Sequence, residues 1–277
     1  MKRVLTLAMS MLAAVVSMAQ TADAFRAQCE RQMRVAGVAG PGVETVLDKW
    51  AAVYPDDTDM LEARFNYYLA KSRSERVLPL IGKKRFLGEE PVLTLRDSTG
   101  APVPYFQVPE YDDSLFRLSQ QAIDRAIALK PEALLYRFDR ISALAAYEKE
   151  SPDMAATAVL DLIDLNSGEH PAWEYGGKPV NAVEFSAYIQ QYCYIFYRTG
   201  SANSYEAFRI VSERMLRDDP RNTTFLGNLG SYWQVARRDD RRAAKYYRRV
   251  LKIDPDDSAA KKNLSIIEKN KQSKHKK

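Results

Sequence analysis

The chain has little of what enzymes most often use at neutral pH. Its 277 residues include only two histidines and two cysteines. His170 falls in a loop and His275 in a lysine-rich tail, so a histidine relay or a His/Cys metal cage has no local basis. No H-E-x-x-H, C-x-x-C, G-x-S-x-G or Walker loop occurs. A glycosidase needs only two carboxylates and no local motif. Paired acids such as Asp112-Asp113, however, stand where helix N-caps are wanted. The sequence therefore points to no enzyme, no cofactor and no metal.

Long apolar runs are also missing, with one exception. Lys2 and Arg3 precede Val4–Met18, and Ser17-Met18-Ala19 places small residues where a signal peptidase reads them. The run has about 15 residues against the roughly 20 that span a bilayer. Residues 1–19 therefore read as a signal peptide, cut before Gln20, with Ala22-Asp23-Ala24 as the second choice. No cysteine follows the cut closely enough for a lipid anchor. The expectation is an exported protein, periplasmic or secreted in a Gram-negative bacterium. Export permits a disulfide, and the sequence leaves the pairing of Cys29 with Cys193 open.

Charge is unevenly spread. Residues 20–236 carry 24 Lys/Arg against 30 Asp/Glu, whereas residues 237–277 carry 15 against 6. The overall +5 belongs to one end.

Apolar residues recur mostly at helical spacing, and prolines near acidic or polar turns punctuate them: Pro55, Pro131, Pro171, Pro220 and Pro255. The expected helix pairs are 22–38 with 43–54, 58–73 with 113–130, 133–148 with 153–165, 181–197 with 204–216, and a last pair ending before Pro255. Residues 258–269 read as a capping helix and 270–277 as a basic disordered tail. Residues 74–111 fall inside the second pair. There 91–96 and 103–108 alternate about the turn cluster Asp97–Gly100, which predicts a β-hairpin, with Pro102, Pro104 and Pro109 arguing for edge positions. Two readings of this insertion stand: a brace across neighbouring helices, or an arm shaping a binding site.

The clearest pattern lies in residues 222–257. Leu226, Leu229-Gly230, Trp233, Ala243, Tyr247 and Pro255 follow nearly the spacing W-x2-L-G-x2-Y…A-x3-F…P. Gly230 and Ala243 allow two helices to approach, and Trp233 and Tyr247 fill the space beside them. One residue is extra between Trp233 and Ala243, and the polar run 237–242 offers a turn to absorb it. On these residues the chain resembles the tetratricopeptide-repeat family, most closely over 222–257 and least before residue 73. The resemblance implies an all-α solenoid of about five helix pairs over residues 20–269, plus the capping helix and the small β-hairpin insertion. It also implies a concave face, lined by the first helix of each pair, that binds a protein or peptide. The family's groove positions fall on Thr224, Gly227, Asn228, Ser231 and Gln234, with Asn228 and Gln234 offering amides to a peptide backbone. Tyr136, Arg140 and Tyr147 are further candidates by helix face alone.

In the last pair Arg241, Arg242, Lys245, Arg248, Arg249 and Lys252 share one side of the second helix. This basic stripe suggests an alternative function, binding a polyanion or an anionic membrane or envelope surface. Export argues against nucleic acid. No residue pattern suggests a small-molecule substrate.

Overall fold

The computed structural model describes residues 20–169 and 171–275; the expected signal peptide lies outside the described residues. Among the described residues, eleven helices in five antiparallel pairs and a final single helix make an all-α, tetratricopeptide-like array. The pairs are α1 (Ala22–Ala36) with α2 (Val43–Val53), α3 (Thr58–Ser72) with α4 (Asp113–Leu129), and α5 (Leu134–Tyr147) with α6 (Asp153–Glu169). They continue with α7 (Ala182–Thr199) and α8 (Ala202–Asp218), then α9 (Thr223–Ser231) and α10 (Asp240–Ile253). Helix α11 (Ser258–His275) closes the stack.

The punctuation is regular. Each second helix, α2, α4, α6, α8 and α10, stops two residues before a proline. Proline cannot donate to the next turn and restricts the residue before it, so the helix ends there. Before α3, α4, α7, α8, α9 and α10, an Asp, Asn or Ser accepts a hydrogen bond from the first turn. At α7 Asn181 and Glu184 form a reciprocal capping box. Helices pack mostly on their neighbours in sequence, α6 packing on α8 instead of α7, and one continuous apolar core runs from Phe25 to Tyr232. Leu226, Ala243, Ala244, Tyr247, Val250, Ala260 and Ile267 form a second core under the last pair and α11.

The structure differs from the sequence reading at four places. The insertion is a three-stranded antiparallel sheet, not a lone hairpin: β1 (Arg73–Pro79), β2 (Leu93–Arg96) and β3 (Pro102–Tyr111), ordered β1-β3-β2. The expected β2–β3 hairpin is present, but the polar, charged β1 gave no apolar alternation to detect. β3 is central despite its prolines. β1 covers only its 105–111 part and β2 only its 102–105 part, so most of the strand is paired on one edge at a time. Second, the extra residue of the last pair is absorbed by a π-helical turn at Tyr232–Ala236, where the Arg237 N–H reaches the Tyr232 carbonyl at 3.2 Å. Third, α11 continues to His275 instead of ending at Lys269, since neither proline nor glycine interrupts it. Fourth, a two-residue hairpin, β4 (Glu174–Tyr175) with β5 (Lys178–Pro179), folds the loop before α7.

Both cysteines are free and buried, Cys29 in α1 and Cys193 in α7. Burial pushes the Cys193 thiol up to about 12, which makes it inert.

Candidate partner-binding grooves

The last pair shows how sequence builds a groove. Gly230 lies against the Tyr247 ring so closely that an added Cβ would stand 2.4 Å from Cε1. The missing side chain lets α10 approach α9. On the adjoining face α9 presents small or short polar residues. Thr224, Gly227, Asn228 and Ser231 line a cavity of about 200 Å³ with Tyr247 and Asn263, bounded by α11. Four of the five positions implied by the repeat pattern thus come together.

Gln234 does not line this cavity. Its Oε1 accepts the Tyr247 hydroxyl at 2.8 Å, which fixes the ring. Asn228 borders the cavity but is 9% exposed and fully engaged. Its Nδ2 donates to Gln190 Oε1 at 2.7 Å and to Ser212 Oγ at 3.2 Å, and its Oδ1 accepts from Gln190 Nε2 at 3.3 Å. The amide offered to a peptide by the sequence reading instead ties α9 to α7 and α8. Thr224, exposed, and Ser231, half-buried with its hydroxyl 3.4 Å from that of Tyr247, remain on the groove wall.

A larger groove of about 840 Å³ opens between α7 and α9. Val183, Ser186, Ala187 and Gln190 of α7 face Asn222, Thr223 and Thr224, and Asp218, Asp219 and Asp254 stand at its end. Thr223 and Thr224 border both cavities, so the two lie next to one another along the first helices α7 and α9 and the closing helix α11. The α7 wall was hidden in the sequence by that helix's many aromatics. Its only signal was the small and polar set Ser186, Ala187 and Gln190 among Phe185, Tyr188 and Tyr192.

The three candidates on α5 do not form one site. Tyr136 is buried beside Thr58 of α3. Arg140 pairs with Asp124 of α4 at 2.7 Å and lines a cavity of about 340 Å³ between α4 and α6, on the face of the second helices. Tyr147 stacks on Phe116 at 4.0 Å and donates to Asp113 at 2.7 Å, sealing the root of the insertion. A helix face read at fixed spacing could not separate these surroundings, because they depend on neighbours distant in sequence.

The insertion braces the array. Glu89 pairs with Lys149 at 3.0 Å and Arg198 at 3.7 Å, linking the second pair to the ends of α5 and α7. Gly88 rests against the Arg198 carbonyl, where a Cβ would lie 2.5 Å from the oxygen.

The six basic residues of α10 are all exposed and divide into two groups. Arg242 is held by Asp239 and covers the Trp233 ring at 4.4 Å. Arg249 reaches the Pro220 carbonyl and lies over Tyr246 at 5.8 Å. Arg241, Lys245, Arg248 and Lys252 have no acidic partner among the described residues. They form a row about 16 Å long, at 1.5 Å per helical residue. No set of three or more His, Cys, Asp or Glu that could hold a metal occurs among the described residues.

Paired helices, the Gly230–Tyr247 approach and adjacent grooves along successive first helices define a helical-repeat protein of tetratricopeptide-like architecture. No protein-family model matches the chain, and no curated protein sequence matches it. Solved structures similar to it include the following two. The MamA protein has a TM-score of 0.42 at 12% identity, over 86% of this chain and 94% of that one. YrrB, described as a TPR protein with an unusual peptide-binding site, has a TM-score of 0.39 at 11% identity, over 87% and 90%. The architecture assigned here rests on the packing described above and not on these two likenesses.

Proposed function

We propose that this chain is an exported, non-enzymatic scaffold that holds an extended segment of another protein in the grooves along α7, α9 and α11. The observation that carries this reading is that Thr223 and Thr224 line both grooves, so a segment extended along α7, α9 and α11 would meet both. Small side chains at Ala187, Gly227 and Ala259 leave room for a backbone there, and Ser186, Thr224 and Ser231 supply hydroxyls that both donate and accept. The start of the chain, with its two cations and single apolar run, supports export into a bacterial envelope.

A photocrosslinking residue at Thr224, used in intact cells with the same residue at Arg248 as control, tests the reading. The adduct should map to one extended segment of one partner, and its intact mass should show a chain beginning at Gln20. A peptide of that segment should bind the purified protein, and Thr224→Trp should weaken it by about tenfold or more, as loss of a central contact does. Crosslinking at Arg248 but not at Thr224, or retention of Met1, contradicts the corresponding half of the proposal.

The row Arg241, Lys245, Arg248 and Lys252 favours a second reading, electrostatic contact with a polyanion or anionic surface. Trp233 and Tyr246 are covered by Arg242 and Arg249, which leaves little aromatic surface for stacking bases and speaks against nucleic acid.

A further inference from the structure

The insertion sheet turns an apolar patch to solvent on one face, at the end where all three strands meet; Arg73, Glu75 and Gln107 lie on the rest of that face. In an antiparallel sheet, residues directly opposite one another share a face. Pro79, Tyr105 and Leu93 make one row across the three strands, and Val77, opposite Gln107, and Leu95, opposite Val103, flank it. Val77, Leu93 and Leu95 are 52%, 49% and 48% exposed. The other face of β3 carries buried Pro104 and Phe106, the latter packed edge-on against Phe86. Just past β1 a tight turn, closed by the Lys83 N–H on the Leu80 carbonyl at 3.2 Å, has Gly82 at φ 76°. A side chain would strain that left-handed position. The turn pushes Ile81 out to 80% exposure.

Charge around this face is equally distinctive. Arg73, Arg76 and Arg85 are paired with Glu75, Glu110 and Glu90. Lys83 and Lys84, beside Ile81, are exposed and carry no ion pair among the described residues. An apolar knuckle flanked by free lysines matches a surface that is apolar below and anionic above.

We propose that this patch docks onto an anionic lipid bilayer, with Ile81, Val77, Leu93 and Leu95 entering the headgroup boundary and Lys83 and Lys84 meeting lipid phosphates. Aliphatic side chains need no shaped pocket in lipid, whereas a stable protein interface is anchored by buried aromatics or arginines seated in pockets. Lysine stems lie along apolar surface while their ammonium groups stay at headgroup level. The grooves along α7, α9 and α11 are built from other elements and stay open, so docking does not depend on the peptide reading.

The test is co-sedimentation of residues 20–277 with phosphatidylglycerol-containing and with pure phosphatidylcholine vesicles, at low and high salt. Binding should require the anionic lipid. Lys83→Gln with Lys84→Gln should weaken it about fivefold per lysine. Ile81→Ser, Leu93→Ser and Leu95→Ser together should weaken it by about tenfold or more, since binding scales with buried apolar area. These positions are exposed, so circular dichroism should be unchanged. An Ile81→Trp protein in which the basic residues of α10 are replaced by Gln should still shift its emission to the blue on anionic vesicles. That arm separates docking by the insertion from attraction by α10. Binding that survives the triple Ser substitution, no blue shift, or no vesicle binding overturns the proposal. A dimer in light scattering that the Ser substitutions dissolve, in place of vesicle binding, assigns the face to a second copy and overturns it too.

Discussion

Gly227 and Gly230 lie three residues apart on α9, yet alanine at the two positions should act in opposite directions. Alanine is favoured over glycine in a helix interior by about 1 kcal/mol. At Gly227 an added Cβ meets no heavy atom within 4 Å, so Gly227→Ala should gain about 0.5–1 kcal/mol. At Gly230 the Cβ would stand 2.4 Å from Cε1 and 2.8 Å from Cδ1 and Cζ of Tyr247. Normal carbon contacts are about 3.5–4.0 Å, so the ring or a helix must move by roughly 1 Å. Tyr247 is 1% exposed and its hydroxyl is bonded to Gln234, so the ring has nowhere to retreat without breaking that bond. Overpacking costs about 1–3 kcal/mol and the bond about 1 kcal/mol. After the helix gain is subtracted, Gly230→Ala should lose about 2 kcal/mol, and the two variants should differ by about 3 kcal/mol. At about 2–4 °C per kcal/mol for a chain of this size, their melting temperatures should lie about 6–12 °C apart. Circular dichroism melts and urea titrations measure this. The second core under the last pair and α11 makes early loss of that end the expected form of the Gly230→Ala defect. Equal shifts of the same sign, or a neutral Gly230→Ala, would refute the close approach of α9 and α10.

Two other outcomes are expected. Asp139 of α5 is half-buried, and burial, helped by the nearby Glu62 carboxylate, raises its pKa to about 6. Its folded pKa lies above the unfolded value of about 3.9, so its ionisation opposes folding increasingly as pH rises from about 4 to about 6. Asp139→Asn should therefore stabilise the protein by about 1 kcal/mol at neutral pH, after allowance for solvent screening, and give no gain near pH 4. Urea midpoints at the two pH values check this, and a gain that persists in acid contradicts it. On α10, replacing Arg241, Lys245, Arg248 and Lys252 with Gln should abolish salt-sensitive binding to an acidic polysaccharide. If counterion release governs that binding, the slope of log affinity against log salt should flatten by about 3. Equal binding by variant and wild type would reduce the row to a solvated face.

Much of the architecture was legible because it is local. Proline two residues beyond each second helix, capping Asp, Asn and Ser, and helical apolar spacing act within a few residues of themselves, and they placed all five pairs. Gly230 and Ala243 foretold a close helix approach because a small residue means the same thing on any helix. The basic row of α10 was visible because exposed charge on one helix face depends on one element.

Other features depended on partners far along the chain, and only the tertiary structure decided them. Asn228 had the right position for a peptide contact, but Gln190 and Ser212, distant in sequence, take its amide. Tyr136, Arg140 and Tyr147 share a side of α5 by periodicity, yet Thr58, Asp124 and Phe116 draw them to three surroundings. Strand β1 carries no apolar alternation because its stability comes from pairing with β3, a non-local bond no single segment can announce. The groove itself follows the same rule. Its walls come from several helices, and small or short side chains at Ser186, Ala187, Thr223, Thr224 and Gly227 leave the space between them. Sequence thus determined the helices and their small-residue contacts. Packing between distant helices determined which side chains were left free to meet a partner.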